Sequence, residues 1–118
     1  MTTQELGIYG ERIAREYLKE KGFEHLEFNY RFGKLEIDIV SIYQGEIVVT
    51  EVKTRQTAEI GEPWRAVTRV KQKQIIKVAN EYVKVKQFSL DTRFDIVSIV
   101  HNQYRTEIEH IEDAFTTV

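Results

Sequence analysis

The sequence predicts an α/β domain with a central mixed β-sheet flanked by helices, on three observations. An amphipathic helical period opens the chain, two nearly all-apolar strands follow around a tight turn, and a second helical period separates them from further strands. Strands that are apolar on almost both faces belong at the centre of a sheet covered on each side. At 118 residues the chain is expected to form one domain, spanning 1–118.

Residues 4–21 carry Leu6, Tyr9, Gly10, Ile13, Ala14, Tyr17 and Leu18 at helical spacing, with Gly22 as a stop. At 100° per residue Glu11 falls beside Leu18, at the border of the buried stripe, where a carboxylate can look over a sheet edge. Residues 23–32 read as extended and aromatic. Residues 35–43 and 46–54 form a hairpin around Gln44-Gly45, the glycine supplying the positive φ that such turns need. A polar loop covers 56–63, and 64–85 reads as one long helix with Val67, Val70, Gln74, Ile75, Val78, Ala79, Tyr82 and Val83 inward. Lys71 falls inside that stripe, either snorkelling to the surface or approaching the carboxylates from the first turns. Two strand candidates, 93–100 and 104–111, complete the order αβββαβ plus a C-terminal strand.

The hairpin holds the chemistry. With Tyr43 paired to Glu46, Ile42 faces Ile47, Val40 faces Val49, Asp38 faces Glu51 and Glu36 faces Lys53, all on one side of the sheet. Two like charges at such a position repel by about 3 kcal/mol at ~5 Å in an effective dielectric of ~20. The repulsion is relieved if one carboxyl is protonated, if Lys53 and a neighbouring Arg neutralise the pair, or if a longer loop separates them. A hard divalent cation bound by both is the further alternative.

Composition narrows the class. There is no cysteine, so disulfides and thiolate metal sites are excluded. The N-terminal residues lack a basic segment followed by an apolar run, and no stretch approaches the ~18 residues of a membrane span, so a cytoplasmic protein without membrane association is expected. The net charge is −2, yet the charge is unevenly spread. Lys53, Arg55, Arg65, Arg69, Lys71, Lys73, Lys77, Lys84 and Lys86 face only Glu59, Glu62 and Glu81 over residues 53–86, which allows a basic face on an acidic molecule. His25, His101 and His110 show no metal-ligand spacing and read as core or surface fillers, and Asp95 as a structural hydrogen-bonding group.

An acidic residue on one strand followed by Glu51-Val52-Lys53 on the next resembles the core of the PD-(D/E)xK nuclease superfamily. The likeness extends over Gly10-Glu11, Ala14, Tyr17-Leu18, Glu36-Ile37-Asp38, Thr54-Arg55, Ala66-Val67-Thr68 to Lys71, Arg93-Phe94-Asp95, and Ile111 to Ala114-Phe115. Those segments are similar to the YraN-like family of small bacterial proteins related to archaeal Holliday-junction resolvases. The resemblance implies a restriction-endonuclease-like core, with Asp38 and Glu51 as ligands of Mg²⁺ or Mn²⁺, Glu11 assisting at the metal from the first helix, and Lys53 beside the attacking water. Glu36 is then expected to support the site from behind, and Arg55 and Lys71 to contact the phosphate backbone. The expected activity is endonucleolytic hydrolysis of structured or branched DNA by a homodimer. The alternative is a non-catalytic nucleic-acid-binding or protein-interaction module on the same fold.

Overall fold

The computed structural model describes residues 1–59 and 61–117; Ile60, in the polar loop, lies outside the described residues. The elements run α1 (Thr3–Glu20), β1 (Glu24–Phe32), β2 (Leu35–Tyr43), β3 (Glu46–Arg55), a 3₁₀ turn (Pro63–Ala66), α2 (Arg69–Lys86), β4 (Thr92–His101) and β5 (Thr106–Phe115). The strands form one five-stranded sheet in chain order, β1-β2-β3-β4-β5. Only β3 and β4 pair in parallel among these neighbours, and α2 supplies the crossover that a parallel pair requires. The predicted α/β class and mixed sheet are therefore present.

Each helix covers one face of the sheet. Ala14 and Leu18 of α1 pack with Phe23, Ile39, Val48, Val52, Val97 and Ile99. Ile75, Val78, Ala79 and Tyr82 of α2 pack with Ile37, Val40, Ile47, Val49, Phe94 and Ile96 on the other face. The alternation of Ile47, Val48 and Val49 between the two clusters is the period of a central strand. No helix among the described residues is long and apolar enough to cross a membrane.

Local chemistry sets the boundaries. A capping box formed by Thr2 and Glu5 starts α1. Gly22, at φ +101°, ends it, with Gly22 N–H donating to Lys19 O and Phe23 N–H to Leu18 O, both at 3.0 Å. Gln44 and Gly45 take φ of 50° and 81°, so the hairpin turns where the sequence indicates, and the pairs Tyr43–Glu46, Ile42–Ile47 and Val40–Val49 form as counted.

Two expected elements differ. The helix expected over 64–85 is broken at residues 67–68, because the Thr68 hydroxyl accepts from Lys71 N–H at 3.2 Å and starts α2 afresh. That restart leaves Val70, expected inward, 67% exposed. The last strand, expected over 104–111, begins at Thr106 and continues to Phe115. Asn102 Oδ1 claims the N–H groups of Tyr104 and Arg105 for a turn. Farther along, Asp113 at φ 50° lets the strand continue past a register shift.

Helix α1 lies unusually close to β3. A Cβ built on Gly10 would collide with the Thr54 hydroxyl and stand 2.7 Å from Thr54 Cβ, whereas one on Gly7 meets nothing within 4 Å. Gly10→Ala is accordingly expected to destabilise the fold by about 2–3 kcal/mol through overpacking. Gly7→Ala is expected to be neutral or stabilising by up to ~1 kcal/mol through helix propensity. Urea unfolding of both variants checks this, and equal effects of the two would contradict the close approach.

Candidate active site

The backbone ladder between β2 and β3 is continuous from the turn to Ile39–Thr50. Below that level the alternation of β2 reverses: Ile39 belongs to the cluster under α1, whereas Ile37 belongs to the cluster under α2. Strand β1 reverses with it. The Phe28 ring lies 3.8 Å from the Arg15 guanidinium of α1, while the Tyr30 ring meets Tyr82 of α2 at 4.9 Å. Asn29 between them stands at φ 51°, a left-handed conformation that asparagine tolerates better than most residues. Phe28 pairs with Ile39 and Tyr30 with Ile37, so the two strands turn over together at Asn29 and Asp38.

This twist corrects the counted geometry. Asp38 and Glu51 are brought together, but not as an opposed pair on the face shared by Val40 and Val49. Asp38 is instead within reach of both Glu51 on β3 and Glu11 on α1. Where the ladder ends, Asp38 Oδ2 accepts from the Val52 N–H at 2.8 Å, so a side chain takes the place of a strand bond. Glu36 departs from expectation as well: it pairs with Arg31 of β1 at 3.4 Å, its neighbour in the sheet, rather than with Lys53.

The site is electrostatically strained. Burial, followed by the hydrogen-bonding contact and charge of Glu51, pushes the Asp38 carboxyl from its ordinary 3.8 up to about 8, against the opposing Val52 N–H and Lys53. Glu51 is 5% exposed, and its Oε2 has no hydrogen-bond partner among the described residues. A buried, unpartnered carboxylate oxygen beside a carboxyl forced toward neutrality is a donor set suited to a hard cation. Glu11 is also raised, by burial and then by Asp38, and joins the row from the α1 side. Among the described residues no group of three or more His, Cys, Asp or Glu side chains is arranged to hold a metal ion. Any cation there would be held by Asp38 and Glu51, which matches the habit of Mg²⁺ of taking one or two carboxylates and keeping waters.

Two residues that the sequence did not single out hold Glu11. Asn29 Nδ2 donates to both of its carboxylate oxygens at 3.4 Å, and Arg15 approaches it at 3.9 Å while donating to Asn29 Oδ1 at 3.1 Å. The i,i+4 spacing of Glu11 and Arg15 was a usable signal; nothing local marked Asn29. Lys53 is near enough to act on Asp38 by charge, without forming an ion pair with it. Arg55 is exposed at the end of β3, and Lys71 is half-buried in the first turn of α2, neither within the carboxylate row.

An acid whose pKa is raised by folding stabilises the protein below its unfolded value, and that contribution is lost as pH rises through the folded value. For Asp38 the window runs from about 4 to about 8. The metal-free protein is therefore expected to lose on the order of a few kcal/mol from this group between pH 5 and pH 8. Asp38→Asn should remove that slope and stabilise the metal-free protein at pH 8, as read by urea unfolding across the range. Parallel pH profiles of the two proteins would show that Asp38 is not strained.

The sequence pattern of the uncharacterised protein family UPF0102 matches residues 10–99, a span containing Glu11, Asn29, Asp38, Glu51 and Lys53. The chain is 44% identical over 111 residues to a UPF0102 protein of Christiangramia forsetii, covering 94% of this chain and 93% of that one. A UPF0102 protein of Flavobacterium psychrophilum is 40% identical over 111 residues, at 94% and 93% coverage. One from Caldanaerobacter subterraneus is 39% identical over 114 residues, at 93% coverage of each. On the extent of these matches, the chain belongs to the UPF0102 family.

Proposed function

We propose that the protein is a divalent-metal-dependent endonuclease of the PD-(D/E)xK type that hydrolyses phosphodiester bonds in structured or branched DNA. One observation carries this reading: two carboxyls, half-buried Asp38 and buried Glu51, meet where β2 and β3 part, the first pushed up to about 8 and the second with an unpartnered oxygen. Like-charge burial on this scale is a cost that a purely structural strand pair has no reason to bear, and it is frequent at catalytic sites.

Asp38 and Glu51 would hold Mg²⁺ or Mn²⁺, which when bound lowers the pKa of a water and polarises the phosphoryl oxygens. Lys53, two residues from Glu51 on the same strand, supplies positive charge beside the pair and would orient the phosphate or the attacking water. Glu11, held by Asn29 and Arg15, would keep Asp38 oriented toward the cation. Arg55 and Lys71 are the proposed contacts to the phosphate backbone. A four-way junction presents two strands for cleavage, so action on it calls for a homodimer with paired sites.

The net charge of −2 favours a second reading, a DNA-binding or protein-interaction module without chemistry. Purified protein with Mg²⁺ or Mn²⁺ on single-stranded, duplex, flap and four-way DNA separates the two. The nuclease reading expects metal-dependent cleavage that falls at least ~100-fold in Glu51→Gln and in Lys53→Ala. Equal residual cleavage in wild type and variants would identify a contaminant, and binding without cleavage on every substrate would establish the module. Arg55→Ala and Lys71→Ala are each expected to weaken DNA binding and reduce its salt slope by about 1. An unchanged slope would remove that residue from the interface.

A further inference from the structure

We infer that the groove at the carboxyl ends of β3 and β4 receives a single-stranded nucleic-acid segment, with Tyr104 as a base-stacking platform. Arg55 and Lys53 would lead the phosphates of that segment toward the carboxylate pair. This deepens the nuclease reading and rests on it for the direction of the strand.

The parallel pair β3–β4 ends at Arg55 and His101, and the crevice outside the carboxyl ends of such strands is where open α/β sheets bind ligands. Two hollows lie there, of about 690 Å³ and about 910 Å³, and they share Met1, Leu6, Gln56 and Thr57, so they form one groove. Lys53 and Arg55 line one end, and His101, Tyr104 and Arg105 line the other. Glu59 is the acidic residue of the lining, and Arg105 already pairs with Glu107 at 3.2 Å, which leaves Lys53 and Arg55 for phosphate.

Tyr104 is 85% exposed, yet its turn is tied down. Asn102 Oδ1 accepts from the N–H groups of Tyr104 at 2.9 Å and Arg105 at 3.2 Å, while Asn102 Nδ2 donates to Gln56 O at 2.7 Å across the groove. The adjacent His101 ring lies 4.5 Å from the Tyr9 ring and its Nδ1 shares a 2.6 Å hydrogen bond with Thr106 Oγ1. These hydrogen bonds fix the backbone of the turn that presents the ring, so the ordering cost of the loop is met before any ligand arrives. A base can stack on it only when it is free of its own duplex, which selects a single strand over a blunt duplex.

The test is the anisotropy of a labelled short oligothymidylate and of a blunt duplex of equal length, with Ca²⁺ in place of Mg²⁺ so that binding is read apart from cleavage. Wild type is expected to prefer the single strand, Tyr104→Ala to lose about tenfold in single-strand affinity with duplex affinity unchanged, and Tyr104→Phe to retain it. A wild-type preference for duplex, or equal single-strand affinity in Tyr104→Ala, would overturn the inference. Tyr104 lies outside both core clusters, so circular dichroism should show the variants folded. Failure of the nuclease reading looks different: Tyr104-dependent binding would persist while no DNA is cleaved.

Discussion

The parting of β2 from β3 at Asp38 is the constraint on which the rest of the site depends. Were the ladder to continue, Asp38 would sit in register against Glu51, two like charges directly opposed in the sheet. Instead β1 and β2 turn over together at Asn29 and Asp38, and the Asp38 carboxylate takes the Val52 N–H in place of a strand bond. The same displacement delivers Asp38 to Glu11, which the close seating of Gly10 on Thr54 holds over the sheet.

A second buried aspartate shows what satisfaction looks like in the same sheet. Burial alone would raise the Asp95 carboxyl, but hydrogen bonds from His110 at 2.7 Å, Arg93 at 2.8 and 2.9 Å, and the Asp113 N–H at 3.0 Å hold it below the usual carboxylate range. Asp95 is fully enclosed and stabilises the junction of β4 with β5; its contribution is lost only in acid, as pH falls through its depressed value. Asp38 is half-buried, and after burial it is the Glu51 carboxyl that raises it. The difference lies in the partners: Asp95 has cationic and hydrogen-bonding groups around it, and among the described residues Asp38 has no cation at bonding distance.

Much of this was legible in the sequence where periodicity or turn chemistry governs. The α1 stripe, the Gln44-Gly45 turn and the first pairs of the hairpin follow from local rules, and so does the structural role of Asp95 beside Arg93. Counting along the hairpin puts Asp38 beside Glu51, where the structure also has them, but as an opposed pair, because strict alternation cannot anticipate a coordinated reversal across two strands. That reversal is centred on Asn29, whose left-handed φ suits asparagine but is not announced by the aromatic strand around it, and whose contact with Glu11 is made only in the folded chain. The counted pairing of Glu36 with Lys53 fails for the same reason, and Glu36 pairs instead with Arg31 of β1. The break before α2 illustrates a different limit: the Thr68 hydroxyl competes locally with a helical period that would otherwise run through it.

The most direct test of the central claim is calorimetric titration of Mn²⁺ into the protein at pH 7 in buffers of differing ionisation enthalpy, for wild type and Glu51→Gln. If Asp38 and Glu51 form one cation site, with Asp38 protonated in its absence, wild type binds with release of about one proton and Glu51→Gln does not bind measurably. Binding of equal strength in both proteins, or binding with no proton released, would contradict the assignment of the buried pair as the metal site.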